Sequence, residues 1–168
     1  MKRFLVQALL FAAASCVVAA EPQTSVSSHA QSGSDYKDIT IVVTVSPADE
    51  GKIWLNAKYS YPLLLAEADR LRELVQTAEK KIDIAVANKS SISYVGEVGR
   101  FHTGTAAVIA VSFETHGYDS CYAVVRIRSE EKNVVLLLDR KDTRDFINVL
   151  GNTHGLVDDY QRQVALFK

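Results

Sequence analysis

The run Ile39 to Val45, Ile-Thr-Ile-Val-Val-Thr-Val, is dense in β-branched side chains and predicts a strand. A loop follows at Ser46–Gly51. Ile53, Leu55, Ala57, Tyr59 and Tyr61 then alternate with Trp54, Asn56, Lys58 and Ser60. That period of two predicts a half-buried strand, hairpinned to the first. Pro62 ends the run and suits the first turn of a helix. Leu64, Ala68, Leu71, Val75, Ala78, Ile82 and Ala85 continue at alternating spacings of four and three, an apolar helical stripe. Coiled coils sustain such a stripe for longer, so this helix is expected to lie across its own sheet.

Beyond Asn88-Lys89 the strand pattern returns. Ile92 to Phe101 alternates weakly, and Gly96 and Gly99 within it predict a bulge or bend. Ala106 to Phe113 is apolar on both faces, which predicts a central strand covered on both sides. After the turn at His116–Asp119, Cys121, Ala123, Val125 and Ile127 point one way and Tyr122, Val124, Arg126 and Arg128 the other. Ser129–Lys132 closes a hairpin into Val134–Leu138. Asp139 can cap a helix that turns Phe146, Ile147 and Leu150 inward and stops at Gly151. A last helical segment uses Leu156, Val157, Tyr160, Val164 and Phe167.

The expected fold is α+β: an antiparallel sheet of about six strands, in the order β-β-α-β-β-β-β-α, packed by one long helix and a C-terminal helical segment. Ahead of it stands an address. Met1-Lys2-Arg3 is basic, Phe4 to Ala14 is apolar apart from Gln7, and Val18-Ala19-Ala20 is small or modest in size. That order predicts a secretory signal peptide over 1–20, cut after Ala20; its apolar core is too short to span a membrane. The competing reading is lipidation at Cys16, in a degenerate lipoprotein box. Against it, Leu is missing three residues before Cys16, and an apolar stub would follow the lipid. Residues 21–37, rich in Ser with Gln, Thr, Pro and Gly, are expected to be a flexible tether, leaving 38–168 as a single domain.

Composition changes this picture in two ways. The 19 basic and 20 acidic residues fall to 17 and 20 once Lys2 and Arg3 leave, a balance of −3 that argues against nucleic acid as a partner. Cys121 then stands alone, so the core has to hold without an internal disulfide. Between core-facing positions the thiol is expected to be buried and inert.

Candidate chemistry is sparse. His102, His116, Asp119, Cys121 and His154 are possible metal ligands, yet no H-x-x-x-H or C-x-x-C spacing places two on one element, and no metal or cofactor is expected. His116, Asp119 and Cys121 supply the residue types of a nucleophilic cluster within six positions, but a core-facing thiol is poorly placed for catalysis. Gly96-Glu97-Val98-Gly99 and His102-Thr103-Gly104-Thr105 lack phosphate-loop spacing. Arg126 and Arg128, with Tyr122 nearby, form a cationic stripe on one strand face and are the first choice for a binding surface. Trp54 either fills a core or projects onto a second apolar face, which a partner would then cover.

These readings converge on a secreted, periplasmic domain. It would serve as a non-catalytic interaction or accessory module for another envelope protein or for itself. The alternative is a small hydrolytic or ligand-binding protein. That would use the His116/Asp119/Cys121 cluster or an apolar pocket between sheet and long helix.

Overall fold

A computed structural model describes residues 25–33, 36–45 and 52–167. The expected signal peptide, its cleavage after Ala20 and Cys16 lie outside those residues. The fold is α+β, built on one antiparallel sheet, but the sheet has eight strands rather than about six. They are β1 (Ser25–Ser32), β2 (Asp38–Val45), β3 (Lys52–Asn56), β4 (Ser60–Leu64), β5 (Ser93–His102), β6 (Val108–His116), β7 (Cys121–Arg128) and β8 (Asn133–Leu138). Helix α1 (Leu65–Ala87) follows β4; α2 (Arg140–Gly151) and α3 (Thr153–Ala165) follow β8.

Both additional strands arise where composition hides a period of two. Eight residues of the expected tether form β1, in which Val26, Ser28, Ala30 and Ser32 turn inward and are buried. Small Ser and Ala side chains fill that face, so no hydrophobic alternation marks it. The strand expected over 53–61 is a hairpin, β3 and β4, turning at Ala57–Tyr59, where the Ala57 N–H donates to the Tyr59 carbonyl at 2.9 Å. Leu55 pairs with Tyr61 across it. Since those positions share parity, the alternation runs through the turn unbroken. Pro62 therefore sits within β4 rather than in the helix, on an edge strand where a missing N–H is tolerated.

Helix α1 begins after Leu64, whose N–H donates to the Glu67 carboxylate at 2.8 Å. The buried stripe is Ala68, Leu71, Val75, Ala78, Ile82 and Ala85, as the spacing predicts, while Leu64 is exposed. Asp139 caps α2, its carboxylate accepting from the Asp142 N–H at 2.8 Å.

Spatial order across the sheet is β4-β3-β2-β1-β8-β7-β6-β5. The chain thus builds a four-stranded meander and a helix, then repeats the plan. The halves meet at a narrow seam where β1 and β8 pair only at Gln31–Leu137 and Ser32–Leu136. Helix α2 packs on both strands beside this seam. Close approach there requires Gly33: its N–H donates to the Val135 carbonyl at 2.9 Å, and a Cβ would stand 2.6 Å from a Val135 methyl.

All three helices pack on one face of the sheet, over a core that includes Ile41, Ile53, Leu71, Ile109, Ile127, Leu136 and Phe146. The second cover expected over Ala106–Phe113 is absent among the described residues. On the open side of β6, Val108 and Ala110 are half-buried, and Ser112 is buried beneath side chains of its own sheet.

Candidate functional site

The open face of β6 and β7 carries the cationic stripe anticipated at Tyr122, Arg126 and Arg128. Register explains its arrangement: Tyr122 pairs with Glu114, Arg126 with Ala110 and Arg128 with Val108. One β6 step beyond Ala110, Ser112 lies diagonal to Arg126 and accepts from its guanidinium at 2.6 Å. Glu114 accepts from the same guanidinium at 2.5 Å. Ser112 in turn donates to Glu114 at 3.2 Å. The guanidinium is therefore held in one orientation while its side chain stays 43% exposed. Val124, next to Arg126 on this face with Tyr122 on its other side, is fully buried although no helix among the described residues covers it. Arg128, at the strand end, is exposed and has no ion-pair partner among the described residues. Trp54 belongs to this side of the sheet too, half-buried on β3 opposite Pro62.

A second candidate lies on the helical side. A cavity of about 600 Å³ opens between the end of α1, the β6–β7 turn and the start of α2. Its walls include Ile82, Tyr118, Asp119, Cys121, Arg140 and Arg144. The cations on it are already engaged. Arg140 bonds Asp83 at 2.8 Å, Arg144 bonds Glu79 at 2.8 Å, and Lys141 bonds Asp145 at 2.9 Å. The hydrogen bond to Glu79, with Asp83 close by, holds the Arg144 guanidinium above its ordinary pKa. The bridges of Arg140 and Arg144 fasten α2 to α1. The three pairs leave little cationic capacity for an anionic ligand.

The His116, Asp119 and Cys121 cluster is brought together only in part. Thr115 pairs with Cys121 and both are buried, so His116, one position on, faces the opposite side and is exposed. No hydrogen bond joins the three side chains among the described residues. The Cys121 thiol instead donates to the Gly117 carbonyl at 3.1 Å and to Thr115 Oγ1 at 3.3 Å. Thr115 Oγ1 also donates to the Gly117 carbonyl and accepts the Gly117 N–H, at 2.8 and 3.1 Å. Gly117 has φ near +123°, which L side chains rarely adopt. The thiol thus braces a turn.

Histidines disperse. His102 ends β5, His29 lies on β1, and His154 on α3 pairs with Asp69 of α1 at 2.9 Å. Among the described residues no three His, Cys, Asp or Glu side chains come together as metal ligands. Alanines 68 and 78 of the α1 stripe are fully buried against the sheet. The apolar opening beside this helix lies instead at its C-terminal end. There Ile84, Ala85, Ile92, Tyr94 and Phe113 line a groove of about 460 Å³.

Sequence reasoning misses the α1–α2 bridges and this groove. Their members are 57 or more residues apart in the bridges, and no local pattern links them. Among the described residues, no helix is long and apolar enough to cross a membrane. No family model, no curated protein and no solved structure matches the chain.

Proposed function

We propose that the protein is a periplasmic interaction module that docks another envelope protein on the open face of its sheet and carries out no catalysis. The observation behind this reading is the Arg126–Ser112–Glu114 network. A guanidinium already fixed in place loses little freedom on binding, and Tyr122 and Arg128, which has no ion-pair partner among the described residues, flank it beside the buried Val124. Because Glu114 neutralises Arg126, the charge left for a partner is that of Arg128, and the partner surface that fits is an apolar centre with an acidic residue at its rim. Nucleic acid fits less well, because the chain without residues 1–20 stands at −3 and Glu130-Glu131 adjoin the stripe. Export rests on the basic, apolar and small-residue order of residues 1–20, cut after Ala20.

Crosslinking of tagged protein in intact cells tests the proposal. The expected result is one dominant envelope partner, lost when Arg126→Glu and Arg128→Glu are combined. Recovery of no other protein, or of a partner indifferent to both charge reversals, overturns it.

The cavity walled by Asp119 and Cys121 supports a second reading, in which a small molecule binds beside the β6–β7 turn. A ligand carried through purification and released on unfolding, seen by native mass spectrometry, is its expected sign. A bare mass under conditions that keep the fold removes it.

A further inference from the structure

The two edges of the sheet are unequally defended. Strand β4 is five residues long with Pro62 at its centre, and the Pro62 carbonyl accepts from Thr105 of the β5–β6 turn at 3.3 Å. Short length, proline and a covering turn are the usual means of closing an edge. Strand β5 has ten residues and no proline, and among the described residues it pairs only with β6. Along it and beside it stand Ile92, Tyr94, Val95 and, from α1, Ile84, each more than half exposed. A long edge with apolar side chains on both faces is a template for another strand.

Its charges select which strand. Glu97 and Arg100 are the charged residues of β5 apart from His102, with side chains 48% and 65% exposed. Three residues apart, they would lie on opposite faces of a regular strand. The bulge between Glu97 and Gly99 corrects this: Glu97 pairs with Ser112 and Arg100 with Ala110, two positions apart in β6. Both side chains therefore share a face, and their backbones stand in the same phase relative to β6. Within one chain they form a two-pronged bond at 2.7 and 2.6 Å.

We propose that β5 pairs antiparallel with β5 of a second copy about a two-fold axis, in the register that sets Glu97 of each chain opposite Arg100 of the other. The two neighbouring two-fold registers that align like residues place Glu97 against Glu97 or Arg100 against Arg100, which like-charge repulsion disfavours. The chosen register runs from Val95 to His102 in each chain. It sets Gly96 opposite Phe101, both on the helix-covered face of the sheet. It also brings the partner's turn after His102 alongside Ile92 and Tyr94. An isologous contact of this kind closes after two copies. It leaves the face bearing Arg126 free, so this pairing and the docking of an envelope partner stand or fall separately.

Sedimentation velocity of the purified chain over a dilution series tests the pairing. The expected result is a monomer–dimer equilibrium. Glu97→Arg and Arg100→Glu should each weaken it by at least about tenfold, since each puts like charges opposite at both symmetric contacts. The double exchange, Glu97→Arg with Arg100→Glu, should restore it. Circular dichroism of these surface variants verifies that the monomer is folded. Hydrogen exchange should show amides of Val95–His102 gaining protection as concentration rises. A monomer at every concentration overturns the proposal. So does a dimer indifferent to the single reversals, one not restored by the exchange, or one dissolved by Arg126→Glu instead.

Discussion

Ala106 adopts φ near +60° in the turn between β5 and β6, a left-handed conformation uncommon for a residue with a Cβ. The turn imposes it: the Thr103 N–H donates to the Ala107 carbonyl at 2.8 Å, and the Ala106 N–H to the Thr103 carbonyl at 3.2 Å. Relief of about 1–2 kcal/mol of strain exceeds the entropy cost of glycine, about 0.4–1 kcal/mol. Ala106→Gly is therefore expected to stabilise the protein by roughly 0.5–1 kcal/mol, read from the midpoint of urea unfolding. Cys121 makes a prediction of another kind. Buried, with its thiol committed to the Gly117 carbonyl, it should react with a thiol reagent only after denaturant is added. Rapid modification of the folded protein would reopen a catalytic role. The burial of Cys121 is legible in the sequence from its alternation with Ala123 and Val125. The separation of His116 from it follows from the same alternation, but only once the strand is known to continue through His116.

Helix α2 is held at its start by one carboxylate and loaded by another. Asp139→Ala removes the cap on the Asp142 N–H and should cost about 1 kcal/mol. Asp142 is itself pushed above the usual carboxylate range, first by burial and then by the neighbouring Asp139 charge. A raised folded pKa means the protonated carboxyl is the better fit. Its stabilising contribution is present below the unfolded pKa and is lost as pH rises through the folded one. Asp142→Asn should therefore melt higher than the parent at pH 7, and the two melting curves should converge below about pH 4. A melting difference that persists in acid would contradict this origin. The existence of α2, its cap and its inward Phe146, Ile147 and Leu150 are readable from local pattern. Its bridges to Glu79 and Asp83 are not, because they depend on how two helices lie together.

At the scale of the molecule, the seam between the two meanders carries the architecture. Strand β1 is the sole connection between β2 and β8 in the sheet order, although it reads as a serine-rich tether. A chain beginning at residue 38 should fail to fold cooperatively, with thermal melting by circular dichroism as the check. Beginning at Glu21 should preserve the transition. Sharp, unchanged melting of the shorter chain would show that β1 is dispensable. Gly33→Ala drives a methyl into Val135 at the two-pair seam, and a loss of about 1–3 kcal/mol is expected in the same assay.

Local repetition of side-chain character was enough to determine the α+β class, the long helix with its buried stripe, the bulge near Gly96 and Gly99, and the cap at Asp139. Each of these depends on neighbours within a few positions, where a period of two or 3.6 is visible. Tertiary structure alone decided the eight-strand count, the membership of β1, the one-sided cover, and the open edge at β5. Small residues beneath α2 make a strand without a hydrophobic signature. A three-residue turn that preserves parity conceals a hairpin. Whether an apolar face is covered depends on where distant helices come to rest, since burial is a property of the assembled surface rather than of the residue.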